Sequence, residues 1–165
     1  MSTTQRLILP LRIALVLAFA FAIVMQVLAM PGELMEGLRR APEFAHLYWP
    51  TFIVTELELL GFQVLIVCTW KLLTMIREDR IFSEESSKWV NLIVRTVFTG
   101  WLVFAAFSAY VVSVIYLTPE IRDPGTPMLL FGILLVGAVL VMLIVVMRTL
   151  QRQATTLRND LDEVI

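Results

Sequence analysis

Two carboxylates, Glu56 and Glu58, sit inside an otherwise apolar stretch that opens with Tyr48-Trp49-Pro50. Tyrosine and tryptophan favour the headgroup level of a bilayer, so the helical rise puts both acids about 10 Å or more inside the membrane. An intramembrane carboxylate is costly, about 3 kcal/mol on insertion scales, and is retained where it faces a bundle interior, water or a proton or ligand. Spacing separates the two: Glu56, Leu60 and Gln63 share one helical face and Glu58 points nearly opposite. In the preceding apolar run, Ala14, Ala18 and Ala22 recur every fourth residue and lead onto Gln26, a small-residue face ending in a side-chain amide. Ala105, Ala109 and Ser113 form a comparable strip further on. The expected site is therefore an intramembrane polar cluster in the outer half of the protein, drawn from Gln26, Glu56, Glu58 and Gln63 and bordered by Arg39 or Arg40. Only one of the two acids can easily join Gln63.

Other chemistry has little to work with. Cys68 is the only cysteine and His46 the only histidine, which leaves no intramolecular disulfide and no expected zinc site. The residues read as a packed thiol and a loop imidazole. No Gly-rich phosphate loop, G-x-S-x-G elbow or H-E-x-x-H is present. We therefore expect no catalytic residue, no metal, no cofactor and no enzyme. With 13 basic and 14 acidic side chains the chain also lacks the basic excess of a direct nucleic-acid binder.

The elements that must hold these residues follow from composition. Of 165 residues, 59% are hydrophobic and 16% charged, against roughly half and a quarter in soluble domains. The charges cluster between apolar runs of about twenty residues, the length that crosses a bilayer as helix. The pattern predicts one all-α integral membrane domain, a four-transmembrane-helix bundle with a C-terminal helical extension. Its first span covers about residues 8–30, and its end lacks a small-x-small cleavage site, so it reads as an uncleaved helix rather than a signal peptide. An outer loop at 31–48 follows, with room for a short interfacial helix. The second span, about 49–76, opens with Pro50 in its first turn, where no intrahelical bond is lost. Residues 77–83 form a connector ending in Ser83, which can cap a helix whose first residues, Glu84 and Glu85, complement its positive end. That helix, 84–117, contains the third span. An outer loop at 118–127, the fourth span at about 128–147 and a tail at 148–165 complete the chain.

Orientation follows from basic residues. Arg6, Arg12, Lys71, Arg77, Arg80, Lys88, Arg95, Arg148, Arg152 and Arg158 fall on one side; Arg39, Arg40 and Arg122 fall on the other. This predicts a multi-pass plasma (inner) membrane protein with both termini and the middle loop in the cytoplasm. In the tail, Leu150, Ala154, Leu157, Leu161 and Val164 alternate spacings of four and three, a short heptad seam. Such a seam suits a cytoplasmic partner, pairing within a homo-oligomer or the anionic leaflet.

Phe82-Ser83 before a long helix, and Asp160-Leu161-Asp162-Glu163-Val164-Ile165 at the end, resemble the DUF2975 family of small bacterial membrane proteins. That family has four spans, a Phe-Ser pair opening the third helix and a short acidic tail with an aliphatic end. Its members are often encoded beside a small helix-turn-helix regulator of the Cro/CI type. The resemblance implies a regulatory pairing at the membrane, and because the family has no established activity it supports topology more than function. Phe82, Ser83, Leu150, Leu157 and Leu161 are the expected cytoplasmic contact residues. Two functions remain open: a non-enzymatic regulatory or sensory protein coupling the bilayer to a soluble partner, and a subunit of an oligomeric transporter or proton or cation channel using Glu56 or Glu58.

Overall fold

A computed structural model describes the backbone of residues 3–78, 83–119 and 123–163, and the side chains of 8–78, 83, 85–119, 123–154 and 156. The described chain is all-helical: α1 (Thr3–Val24), a π-helical turn (Met25–Ala29), α2 (Met30–Arg40), a 3-10 turn (Pro42–Phe44), α3 (Ala45–Arg77), α4 (Glu84–Leu117) and α5 (Gly125–Glu163). Four helical stretches, Ile8–Arg40, Pro42–Arg77, Glu85–Leu117 and Gly125–Ala154, are long and apolar enough to cross a membrane.

The first of these departs from the expected loop at 31–48. Pro31 and Gly32 do not end the helix, and α2 carries it on to Arg40. A proline ring clashes with the carbonyl four residues earlier and offers that carbonyl no N–H. Here the carbonyl is that of Val27, inside the π-helical turn, where the N–H of Met30 reaches back to Met25 O. The wider turn makes room for the ring, so the rod continues past it.

The second span also begins earlier than Pro50. α3 starts at Ala45, which places His46 in its first turn rather than in a loop, and Pro50 in the helix interior. The bond that Pro50 cannot make leaves the carbonyl of His46 without its helical donor. The hydroxyl of Tyr110 on α4 donates to it at 2.9 Å, so a backbone defect in one helix becomes a tie to the next.

Ser83 caps α4: its hydroxyl accepts from Ser86 N at 3.3 Å. At the other turn, α5 begins at Gly125, three residues before the expected 128, because Asp123 accepts from the backbone N–H of Gly125 at 2.9 Å and of Thr126 at 3.0 Å. The Thr126 hydroxyl donates to the same carboxylate at 2.8 Å. These three donors hold the Asp123 carboxyl below its ordinary range, the Gly125 N–H contributing most. Pro127 then falls within the first turn, where its missing N–H costs nothing. At its other end α5 runs on without a break from the fourth span into the segment expected as a C-terminal helical extension.

Packing is serial. α1 and α2 lie against α3, α3 against α4, and α4 against α5; the described residues show no comparable packing of α1 or α2 on α5. Little is fully buried: Ala22, Ile66, Cys68, Leu73, Met75, Val94 and Ile115 among apolar side chains, Ser86 and Ser108 among polar ones. The expected small-residue strips contribute unevenly. Ala22 is buried but Ala14 is exposed, and on α4 the buried position is Ser108, with Ala109 and Ser113 outside. The contact face of α4 runs through Val94, Ser108 and Ile115, set by its packing against α3.

Two glycines seat aromatic rings where helices meet. A Cβ on Gly37 would lie 2.8 Å from Tyr48 Cε1, which closes the α2–α3 hairpin. A Cβ on Gly137 would lie 2.8 Å from Trp101 Cδ1, and the indole N–H of Trp101 donates to Leu134 O at 3.0 Å across the α4–α5 contact.

Candidate intramembrane polar sites

Hydroxyls along these helices are silenced locally. Thr51, Thr55, Thr69 and Thr74 each donate to the carbonyl four residues earlier, as does Ser108. This arrangement satisfies each O–H donor within its own helix, while the hydroxyl oxygen can still accept. The amides and charges that remain define three sites.

The first joins α1 to α3. Gln63 Nε2 donates to Gln26 Oε1 at 2.6 Å. The acceptor belongs to the π-helical turn that precedes Pro31, so the same turn that accommodates the proline ring carries Gln26. Glu56 shares the Gln63 face by spacing but does not join the pair: its buried Oε1 has no hydrogen-bond partner among the described residues. Arg40 does not border the pair through a hydrogen bond either. Its Nε donates to Glu36 Oε1 at 2.8 Å on α2, in a groove of about 350 Å³ that also includes Glu33, Tyr48 and Thr55.

The second lies between α3 and α4. Glu58 turns away from Gln63 toward α4 and rests on Gly100, where a Cβ would come 3.0 Å from its Oε2. Glu58 lines a cleft of about 610 Å³ whose other walls include Gly61, Arg95, Thr96, Thr99 and Trp101. Glu58 Oε1 is buried without a partner, and no ion pair joins Glu58 to Arg95 among the described residues. Arg95, one of the basic residues on the side of the termini, lines this cleft. The antiparallel register that aligns Glu58 with Gly100 sets Arg95 about 7.5 Å along α4 from that point. Sequence spacing within either helix carries no trace of this register.

The third is a ring of cation contacts at the opposite end from Trp49. Arg12 Nη2 donates to Thr74 Oγ1 at 3.0 Å, and its guanidinium stands 5.1 Å from the Trp70 ring centroid. Lys71 Nζ stands 6.0 Å from the Trp89 ring. Such contacts let basic side chains lie along apolar helices with their charge stabilised by a ring face. Arg12, Thr74, Trp70 and Trp89 were not among the expected site residues. The signal available was the pairing of Arg with a first apolar run and Trp-Lys at 70–71.

Of the expected cytoplasmic contact residues, Phe82 lies outside the described residues and Ser83 is spent on capping α4. Leu150 is 55% exposed on α5. The backbone at Leu157 and Leu161 continues α5, and their side chains lie outside the described residues. Cys68 is buried and free. Among the described residues no three His, Cys, Asp or Glu side chains gather in a set that could hold a metal.

A family model described as a protein of unknown function (DUF2975) matches residues 34–165. No curated protein and no solved structure matches the chain.

Proposed function

The chain belongs to the DUF2975 family, whose function is unknown, and from its own geometry we propose a non-enzymatic regulatory or sensory protein that couples the bilayer to a cytoplasmic partner. One observation carries the reading. α5 runs unbroken from Gly125 to Glu163, and 39 residues of helix extend roughly 58 Å, about twice the hydrocarbon thickness. A rigid rod shared by a membrane span and an extramembrane segment transmits tilt or displacement of one to the other. The excess of basic residues on the side of the termini supports a cytoplasmic position for that protruding half, and Leu150 on it offers apolar surface. The partner chemistry that suits it is an amphipathic helix groove, and a small helix-turn-helix regulator is the partner the family resemblance suggests.

The test is crosslinking in native membranes followed by purification of the intact chain beside one lacking residues 149–165. Capture of a DNA-binding protein by the intact chain alone is the expected result; equal capture by both, or by neither, overturns the reading. The unpaired Glu58 favours a second reading, a transporter or channel subunit in which that carboxylate carries a proton or cation. Its test is proton flux in vesicles, lost on Glu58→Gln.

A further inference from the structure

The cleft between α3 and α4 holds one acid and one base that do not meet. Glu58 stands nine residues from Trp49 along α3, about 13 Å, and thirteen from Lys71, about 20 Å. It therefore lies deep within the hydrocarbon layer. Arg95 lies about 10 Å inward of Lys88 along α4, is exposed on the rim of the same cleft, and has no hydrogen-bond or ion-pair partner among the described residues. A lone arginine facing acyl chains and a lone carboxylate beside it are both unfavourable, and such groups normally pair.

The depth narrows what can pair with them. Lipid headgroups and soluble proteins do not reach this level of the bilayer, so the complement must come from another membrane-spanning helix. It needs a base within side-chain reach of the Gly100 depth and an acid within reach of a point about 7.5 Å further toward Lys88. This chain itself carries that pair. We infer that the α3–α4 cleft is a homodimer interface, in which Glu58 of each copy pairs with Arg95 of the partner subunit. A two-fold axis along the membrane normal preserves depth, so each Glu58 lies about 7.5 Å along the axis from Arg95 of the partner subunit, and the two diagonal contacts are reciprocal. The axial offset is one that an extended arginine and a glutamate side chain span together. Gly61, Thr96, Thr99 and Gly100 along the cleft are small enough for a second helix to approach closely, and Leu57 and Phe62, each about half exposed, flank it. The serial packing leaves this face uncovered within one copy. The inference does not depend on either functional reading above.

Reciprocity gives a specific test. Two differently tagged full-length chains are made, one with Glu58→Arg and one with Arg95→Glu, expressed singly and together, and recovered through one tag in lipid nanodiscs. Alone, each variant faces its own like charge, and co-recovery of a second copy falls at least about tenfold, the scale of a lost close charge pair. Together, both contacts are opposite in sign again, and mixed dimers return to near the wild-type level. A mixture no better than either variant alone, or single variants that dimerise as wild type does, overturns the inference. A charge-independent control covers misfolding. Native Cys68 is buried, so Thr99→Cys in the cleft reports proximity by oxidative crosslinking in membranes, with Met142→Cys on the exposed face of α5 as reference. Crosslinking at Thr99→Cys alone is expected. Crosslinking only at Met142→Cys, or at neither, as when lipid or an ion fills the cleft, refutes it.

Discussion

Substituting alanine for Gly137 and, separately, for Gly132 places the same methyl group in the same helix against two different surroundings. A Cβ on Gly132 meets nothing within 4 Å, so the change acts only through helix propensity, which favours alanine by about 1 kcal/mol. On Gly137 the methyl lands 2.8 Å from Trp101 Cδ1 and 3.2 Å from its Nε1, well inside the ~3.5–4.0 Å of an optimal carbon contact. The indole cannot simply swing aside, because its N–H is bonded to Leu134 O at 3.0 Å. Overpacking costs about 1–3 kcal/mol, and the lost interhelical bond adds about 0.6–2 kcal/mol. After the propensity gain of about 1 kcal/mol, Gly137→Ala is destabilising by roughly 1–4 kcal/mol while Gly132→Ala is neutral to stabilising. Reversible unfolding in mixed micelles by rising SDS, followed by tryptophan fluorescence and circular dichroism, measures the difference. Adding Trp101→Leu should remove most of the penalty of Gly137→Ala, since the two effects couple through one contact. Two alanine variants of equal stability, or additive effects in the double variant, would show that α4 and α5 do not pack in this register.

Two further outcomes test the other helix contacts. Gln63→Leu leaves the Gln26 amide unpaired in an apolar setting and lowers stability by about 1–2 kcal/mol; Gln26→Leu with Gln63→Leu removes both amides and recovers much of that loss. The same SDS titration reads both, and a double variant weaker than either single would contradict the observed pairing. At the start of α5, the lowered Asp123 pKa means that its ionised form is favoured by folding. Its contribution is present above the ordinary carboxylate value of ~3.9 and fades as pH falls through the lower folded value. Hydrogen exchange at Thr126 N–H should therefore be slower in wild type than in Asp123→Asn near neutral pH, and the two should converge in acid. Protection that is independent of both the substitution and pH would mean that the carboxylate does not cap this helix.

Residue order along single helices carried much of the site. Gln26 and Gln63 are readable as a pair because each is the lone amide on an apolar face, and an amide in hydrocarbon requires a partner. Ser83 before Glu84 and Glu85 reads as a helix start because cap and dipole chemistry act over one turn. The prolines misled for an equally local reason. Pro31 and Pro50 each delete one N–H, and whether that ends a helix depends on what receives the orphaned carbonyl. At Pro31 a π-helical turn makes room for the ring; at Pro50 the freed carbonyl of His46 accepts from Tyr110, 64 residues further along the chain. The first is settled by backbone geometry and the second by a neighbouring helix, and neither is visible as spacing.

Composition and apolar run length alone determined that this chain is helical and membrane-spanning, because hydrocarbon offers no partner for backbone groups and a helix satisfies its own. They determined equally that Glu56 and Glu58 face opposite ways, since 3.6 residues per turn allow nothing else. Tertiary structure alone decided which neighbour each acid meets. Glu58 reaches the bare backbone of Gly100 and shares a cleft with Arg95, and Glu56 is left beside, but outside, the Gln26–Gln63 bond. The physical reason is register: two antiparallel helices can slide past one another without changing any pattern along either sequence, and only the summed fit of Trp101 on Gly137, Glu58 on Gly100 and Tyr110 on His46 selects one position.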